Sequence, residues 1–265
     1  MLIFIIVPLL LVLLFSLTDE SALEAGKIKI TLDNFKRFYD PLYLNILKRS
    51  VILAVVSTVA CLILGYPMAL ILSRQEPRVR NILSLLFILP MWINFLLRTY
   101  AWMTLLSKNG IINSFLSFIG LPTLNLMYND GAVLLGMIYN FLPFMILPIY
   151  SVLIKLDDSL IEASYDLGGN KANTFRKVIF PLSLPGVITG ITMVFMPAVS
   201  TFVISKLLGG GKYVLIGNLV ERQFLAADDW HFGSAISIVM MVMILIAMGI
   251  TAKYDNDREG DGGLW

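Results

Sequence analysis

Six stretches of the sequence are long and apolar enough to cross a lipid bilayer. A helix needs about 20 mainly apolar residues to span the hydrocarbon core. The stretches are Met1–Leu17 and, approximately, Ser50–Ser73, Ile82–Leu106, Ala132–Ile154, Leu182–Ser205 and Gly233–Ala252. Because 58% of the residues are hydrophobic and only 14% are charged, a water-soluble fold could not bury the apolar surface. We predict an all-α polytopic membrane protein with about six transmembrane helices.

The two ends of the chain are the least typical parts of this pattern. The stretch Met1–Leu17 has no basic segment before it and no small-residue cleavage site directly after it, so we interpret it as a retained span rather than a signal peptide. Residues 1–252 are predicted to form one transmembrane domain. The charged, glycine-rich residues 253–265 are predicted to form a disordered tail.

The basic residues of the short loops indicate how the chain is oriented. Arg74, Arg78 and Arg80 cluster between the second and third stretches. Loops rich in arginine and lysine remain on the cytoplasmic side of a membrane. We therefore expect a multi-pass protein of the cytoplasmic membrane with both termini in the cytoplasm.

Ionisable residues are almost missing from the six stretches. Arg98 is the one exception, and none of the stretches contains Asp or Glu. Arg98 is expected to extend to the outer interface, with a role in a transport pathway as the alternative. Proton-coupled and ion-coupled carriers usually place Asp, Glu or His inside the membrane. If the protein moves a solute uphill, its energy is expected to come from another molecule.

The inner loop Lys155–Pro181 has a helical pattern of its own. The sequence Ser159-Leu-Ile-Glu162 matches a capping box, which predicts a helix start. Apolar or small residues then recur on one face at Leu160, Ala163 and Leu167.

Two further signals divide this loop. Gly168-Gly169 is expected to end the first helix in a left-handed conformation. Asn170 is expected to cap a second helix that runs to Phe180, and Pro181 to break that helix before the fifth span.

These same residues carry a family resemblance. Glu162-Ala-Ser-Tyr-Asp-Leu-Gly168, with Val178-Ile-Phe-Pro181 after it, resembles the EAA loop of ABC importer permeases. Ser164, Val178 and Phe180 depart from that pattern and approximately keep its size or polarity. The resemblance implies a cytoplasmic coupling helix that docks on an ATP-hydrolysing subunit. The residues that it assigns to this coupling are Glu162, Ala163, Ser164, Asp166, Leu167 and Gly168.

Further segments resemble the permeases of this family that import spermidine and putrescine. The segments are Leu32–Phe38, Leu64–Pro67, Leu89–Asn94, Arg98–Tyr100, Gly209–Lys212 and Asp229–Gly233. A polycation that crosses without carboxylates would need aromatic faces or carbonyl groups, because cations are attracted to aromatic rings. Candidates for this pathway are Trp92, Tyr100, Trp102 and Tyr139. The alternative is that these rings form the belt of aromatic residues at the membrane interface.

No catalytic motif accompanies these features. The sequence contains no G-x-x-x-x-G-K-[ST], no H-E-x-x-H and no G-x-S-x-G. We expect no catalytic residue, no metal site and no cofactor in this chain, and we expect ATP to be used by a partner. The resemblance implies three kinds of partner: a second homologous permease, two ATPase subunits and an extracytoplasmic substrate-binding protein. The sequence has no basic stripe for nucleic acid. A secondary carrier or channel and a membrane enzyme are the competing hypotheses.

Overall fold

The computed structural model describes residues 2–18 and 30–259, with side chains from 3–18 and 30–251. These residues form thirteen α-helices, which we number in chain order. They are α1 Leu2–Ser16, α2 Asp33–Phe38, α3 Pro41–Ser73, α4 Pro77–Trp92, α5 Phe95–Leu106, α6 Ile111–Phe118, α7 Asp130–Leu153, α8 Asp158–Asp166, α9 Lys171–Thr174, α10 Phe180–Ser200, α11 Val203–Leu208, α12 Ile216–Leu225 and α13 Trp230–Glu259. In this described part, one isolated β-bridge between Thr18 and Ile30 is the only strand-like pairing.

The helical class is confirmed, but the count of six spans is not. Among the described residues, four helical segments are long and apolar enough to cross a membrane: Pro41–Ser73, Asp130–Leu153, Lys171–Ser200 and Trp230–Thr251. Helix α4 and the segment Phe95–Phe118 would make a fifth span if they are counted together, although they meet at an angle of 92°. Helix α1 has 15 residues, fewer than the roughly 20 that a span needs.

The predicted third span, Ile82–Leu106, is wrong as a single helix. Helix α4 ends at Trp92, and Ile93 is extended. Asn94 then caps α5, because its side chain accepts a hydrogen bond of 2.8 Å from the Leu96 amide. Pro90 also removes a backbone donor from the last turn of α4. Hydropathy alone does not detect this break, because the residues on both sides of it are apolar.

One predicted interruption of a helix is also wrong. Pro181 does not end the helix that Asn170 begins, because a π-helical turn at Phe175–Ile179 joins α9 to α10. A turn with i→i+5 bonding can accommodate a residue that lacks a donor. Helix α13 continues to Glu259, so it includes residues 253–259 of the predicted tail. Residues 260–265 of that predicted tail lie outside the described residues.

Helices α3, α7 and α10 pack together as the central layer. Gly186 and Gly190 permit close contact between α10 and α7. A Cβ atom would lie 2.8 Å from the Pro148 carbonyl oxygen at Gly186 and 2.8 Å from Met145 Sδ at Gly190. The G-x-x-x-G spacing is therefore used for packing, as such spacings are in membrane helices. Helix α1 lies against α13.

Two ion pairs connect helices that are far apart in the chain. Arg49 Nη2 lies 2.6 Å from Asp130 Oδ1 and joins α3 to α7. Arg74 Nη1 lies 3.4 Å from Asp158 Oδ1 and joins the end of α3 to α8. The two pairs therefore hold α3 against α7 and α8.

Candidate functional site

Helix α8 begins at Asp158, and its cap differs from the predicted one. Asp157 precedes it in an extended conformation, and its Oδ1 accepts a hydrogen bond of 2.9 Å from the Ser159 amide. This hydrogen bond lowers the pKa of the Asp157 carboxyl group below its usual range. The predicted capping box that starts at Ser159 is wrong, because the preceding aspartate supplies the acceptor. The first carboxylates of α8 also lie at the positive end of the helix dipole.

The other end of α8 is closed by a Schellman motif. The Gly168 amide donates to the Tyr165 carbonyl at 2.9 Å, and the Gly169 amide donates to the Ser164 carbonyl at 2.9 Å. Gly168 has φ +80, and a Cβ atom at that position would meet no heavy atom within 4 Å. Glycine is therefore needed here for its backbone conformation and not for space. The predicted end of the helix is confirmed.

The face that carries the family pattern points away from the rest of the chain. Ile161 is 8% exposed and anchors α8 to the helices behind it. Glu162, Ala163 and Asp166 are exposed, and Leu167 is 89% exposed. Leu160, Ala163 and Leu167, which we call the outward stripe, thus form an exposed apolar face.

Ser164 has a different position from its neighbours on α8. It is partly buried, and its hydroxyl oxygen lies 2.9 Å from the hydroxyl oxygen of Thr174. This contact joins α8 to α9. The residue that replaces the second alanine of the family pattern therefore holds the two helices of the loop together.

An aromatic cluster supports the loop from the membrane side. The ring of Tyr66 lies 5.7 Å from that of Phe175 and 5.8 Å from that of Phe180. The Tyr66 hydroxyl oxygen lies 2.7 Å from Ser183 Oγ. Phe175 belongs to the π-helical turn, so this cluster connects α3 to the segment that follows α8. The sequence analysis did not identify Tyr66 or Thr174. Tyr66 belongs to a helix that is distant in the chain, and no local motif marks Thr174 as a partner of Ser164.

The four aromatic residues of the predicted pathway are only partly brought together. The rings of Trp102 and Tyr139 lie 5.3 Å apart at an angle of 71°, an edge-to-face contact between α5 and α7. Trp92 is 78% exposed at the end of α4, and Tyr100 is 46% exposed on α5. No ring contact joins Trp92 or Tyr100 to another described aromatic residue at these distances.

Arg98 lies close to this aromatic pair. It precedes Trp102 by about one turn on α5. The Nε and Nη1 atoms of Arg98 are buried and have no hydrogen-bond partner among the described residues. Part of the guanidinium group is therefore buried between helices.

A cavity of about 500 Å³ lies between α11, α12 and the loop that joins them. Lys206 Nζ lies 2.6 Å from Glu221 Oε1 at this cavity, and Tyr213 and Arg222 also line it. The sequence analysis did not find this cavity, since its residues are spread over two short helices and a glycine-rich turn. Within the described part of the chain, no group of three or more His, Cys, Asp or Glu residues could hold a metal ion.

Comparisons with known proteins agree on one family. The model of the family described as "Binding-protein-dependent transport system inner membrane component" matches residues 61–258. The "Spermidine/putrescine transport system permease protein PotB" of Escherichia coli (strain K12) is 41% identical over 243 residues, which is 91% of this chain and 88% of that protein. The protein of the same name from Haemophilus influenzae is 38% identical over 92% of this chain and 86% of its own length.

Solved structures show the same fold at much lower identity. A chain of a bacterial ABC transporter involved in the import of the acidic polysaccharide alginate superimposes with a TM-score of 0.78 at 17% identity, covering 95% of this chain and 91% of that one. A chain of the MetNI methionine ABC transporter in inward-facing conformations gives a TM-score of 0.57 at 15% identity, covering 80% and 93%. At these identities the likeness establishes the architecture alone.

Proposed function

The chain belongs to the family of binding-protein-dependent transport system inner membrane components, and on this premise we propose that it serves an ATP-driven importer of polyamines such as spermidine and putrescine. Its family and its helices make it a membrane-embedded transport component. The observation that carries the substrate assignment is the 41% identity to a spermidine/putrescine permease over 91% of this chain.

The partner assembly is part of the proposal. A second homologous permease would complete the pathway, two ATPase subunits would supply the energy, and an extracytoplasmic binding protein would deliver the substrate. The names of the relatives and of the solved transporters support this arrangement. The chain itself would hydrolyse no ATP and would need no cofactor of its own. Both termini and α8 would lie in the cytoplasm.

Helix α8 would be the contact with the ATPase. Its two ends are fixed by the Asp157 cap and the Gly168 turn, and Ile161 holds it from behind. The outward stripe remains free to enter a groove on another protein. An amphipathic helix that lays its apolar face into a groove is a common mode of recognition. Glu162 and Asp166 would then lie at the edge of that contact.

The substrate pathway would use the aromatic residues Trp92, Tyr100, Trp102 and Tyr139. The contact between Trp102 and Tyr139 is the part that the packing supports most directly. In an edge-to-face pair the face of one ring meets the edge of the other, so each side of the pair can still offer a ring face to an ammonium group. This fits a cation that carries several separated charges.

The test is the uptake of labelled spermidine and putrescine by cells that lack this chain and by the same cells with the chain restored. We expect uptake to disappear in the first strain and to return in the second. An unrelated solute imported by a different ABC transporter serves as the control. Equal polyamine uptake in both strains would reject the substrate assignment and would leave the family membership intact.

A second measurement separates the proposal from a secondary carrier. The purified chain alone, in vesicles with an imposed proton or sodium gradient, is expected to accumulate no polyamine. Accumulation under those conditions would overturn the ATP-driven mechanism.

A further inference from the structure

The short helix α6 exposes a continuous apolar face. Ile111 is 67% exposed, Phe115 62% and Phe118 87%. Their spacing of four and then three residues places them on one side of the helix. Single exposed apolar residues are ordinary on a protein surface, but three large ones side by side indicate a contact.

The other two sides of α6 differ from this face. Ser114 and Ser117 are exposed and share a second side of the helix. Asn113 is buried, and Ile112 and Leu116 are partly buried, so the third side packs against the chain. A helix with one apolar and one polar exposed side is suited to the boundary between hydrocarbon and water.

Charge is missing from this part of the sequence. No Asp, Glu, Lys, Arg or His occurs between Asn109 and Asn129, whereas the rim of a contact between proteins is polar. Exposed apolar side chains also continue past the helix, since Ile119 is 50% exposed, Leu121 51% and Leu124 50%. Fluid hydrocarbon can cover such a surface on several sides, whereas a groove on a partner protein covers one face. The composition therefore favours lipid.

Asn113 holds this segment in a fixed shape. Its Nδ2 donates to the Ser107 carbonyl at 3.1 Å and to the Leu124 carbonyl at 3.0 Å, and its Oδ1 accepts from the Leu124 amide at 2.8 Å. These three hydrogen bonds connect both ends of the segment through one buried side chain. The apolar face is therefore ordered within the chain itself, which lowers the entropy cost of a contact.

The bend after α4 places α6 beside one end of the membrane spans. Helix α4 has 16 residues and is about 24 Å long, close to the thickness of a hydrocarbon core of about 30 Å. The segment Phe95–Phe118 leaves α4 at 92°, so it runs along the membrane plane rather than across it. The Tyr128 amide, just before α7, donates to the Leu208 carbonyl of α11 at 2.9 Å, and α5 also packs against α11. Because α11 directly follows α10, these contacts hold the segment beside the start of α7 and the end of α10.

We propose that α6 lies in the boundary between lipid headgroups and acyl chains, with Ile111, Phe115 and Phe118 directed into the lipid. Amphipathic helices in this position bury their apolar side about 5–10 Å into that boundary. Ser114 and Ser117 face the headgroups and water. The contact fixes the end of the bent segment on the membrane, and it does not depend on which solute the chain transports.

The experiment measures the environment of α6 in vesicles of phosphatidylcholine and phosphatidylglycerol. Cys61, the one native cysteine, is replaced by alanine in the full-length chain, and a nitroxide spin label is attached to Phe115→Cys. Power saturation compares collisions of the label with oxygen, which concentrates in hydrocarbon, and with a neutral nickel complex, which stays in water. Lys212→Cys, in an exposed glycine-rich turn, is the water reference. Leu245→Cys, at a position 55% exposed on the long span of α13, is the lipid reference.

We expect the ratio of oxygen to nickel accessibility at Phe115 to exceed that at Lys212 by about threefold or more and to stay below that at Leu245. Ser117→Cys is the matched control, because residues two apart lie on opposite sides of a helix. Its ratio should be lower than at Phe115. A ratio at Phe115 equal to that at Lys212 or at Ser117 would overturn the proposal.

The same measurement on the chain purified with its accompanying subunits distinguishes lipid from a protein partner. We expect the ratio at Phe115 to be unchanged in that assembly. Protection of the label from both oxygen and the nickel complex would show that another subunit covers α6, and it would also overturn the proposal.

The role of Asn113 has its own test. Asn113→Ala is expected to make the label at Phe115 more mobile, which narrows its spectrum, and to leave the spectrum at Leu245 unchanged. Asn109→Ala, exposed in the same loop, is the control and should change neither spectrum. An unchanged spectrum at Phe115, or an equal change at Leu245, would show that Asn113 does not hold this segment specifically.

Discussion

The hydroxyl group of Tyr66 on α3 lies 2.7 Å from that of Ser183 on α10, and both residues are buried. Ser183 Oγ also donates to the Phe180 carbonyl at 2.9 Å, so the Tyr66 hydroxyl can donate to Ser183. This contact joins two helices of the central layer near the start of α10, which follows the loop that contains α8. It is therefore placed to keep the inner loop in a fixed position relative to the membrane helices.

Removing the Tyr66 hydroxyl is expected to weaken this connection slightly. Tyr66→Phe keeps the ring contacts with Phe175 and Phe180 and removes only the hydrogen bond. Measured interhelical hydrogen bonds in membrane proteins contribute about 0.6 kcal/mol, so a double-mutant cycle of Tyr66→Phe with Ser183→Ala should give a coupling energy of that order. The measurement is reversible unfolding in mixed micelles. A coupling energy of zero would mean that the hydroxyl groups do not interact.

Gly168 is expected to tolerate asparagine better than alanine. Its φ of +80 lies in the left-handed region, where a residue with a Cβ atom costs about 1–2 kcal/mol. Asparagine adopts this region more readily than alanine. We expect polyamine uptake to fall in the order glycine, asparagine, alanine in cells that produce equal amounts of each variant.

Gly120 supplies a matched control for that series. It ends α6 with φ +78, has no heavy atom within 4 Å of an added Cβ, and closes the same Schellman pattern through the Ser117 and Leu116 carbonyls. Gly120→Ala therefore imposes the same backbone strain at the end of a different helix. Uptake should remain near the wild-type level in this variant. An equal loss in both alanine variants would assign the effect to stability rather than to coupling.

Leu167 is expected to matter for assembly and not for folding. Its side chain is 89% exposed, so Leu167→Asp should change the stability of the isolated chain by less than about 0.5 kcal/mol. A charge at the end of the outward stripe should nevertheless prevent the ATPase subunits from purifying with the chain. Leu225→Asp is the control, since Leu225 is 80% exposed at the end of α12. Normal recovery of the ATPase with Leu167→Asp would count against α8 as the contact.

The cap of α8 is expected to weaken only in acid. The Asp157 pKa is lowered in the folded chain, so the cap contributes fully above the ordinary value of about 4. The contribution is lost as the pH falls through the lower, folded value. Hydrogen-exchange protection of the Ser159 amide, corrected for its intrinsic rate, should stay constant from pH 7 to about 5 and decrease below about 4.

Asp157→Asn provides the comparison for this effect. Asparagine caps helices as well as aspartate does and does not ionise in this range. The protection of the Ser159 amide should therefore lose its dependence on pH in the variant. The same acid-induced decrease in both proteins would show that another group is responsible.

The aromatic pair is expected to influence the affinity for the substrate. A cation–π contact contributes about 0.5–2 kcal/mol, so Trp102→Ala should raise the KM for spermidine by about twofold to thirtyfold. Trp102→Phe keeps a ring face towards Tyr139 and should have the smaller effect. The measurement is the initial rate of uptake against spermidine concentration. An unchanged KM in Trp102→Ala would place the substrate elsewhere and favour the interfacial belt.

Much of the fold follows from the sequence. The four long spans are found near their predicted positions, because a membrane requires long apolar helices wherever they pass. The left-handed Gly168 and the Asn170 cap, whose side chain accepts from the Asn173 amide at 2.8 Å, were likewise predicted from neighbouring residues. Such features depend on backbone chemistry within a few residues, which the local sequence contains.

Tertiary structure decided the features that depend on distant partners. The sharp break at Asn94 was not predicted, since the residues on both sides of it are apolar. The break predicted at Pro181 does not occur, since a π-helical turn before the proline keeps the helix continuous. Leu167 is exposed because Ile161 is buried and fixes the opposite face of α8 against other helices. The pairing of Arg74 with Asp158 joins residues far apart in the chain. Hydrophobicity therefore determined which segments enter the membrane, whereas the packing of those segments decided where they bend and which side chains they leave uncovered.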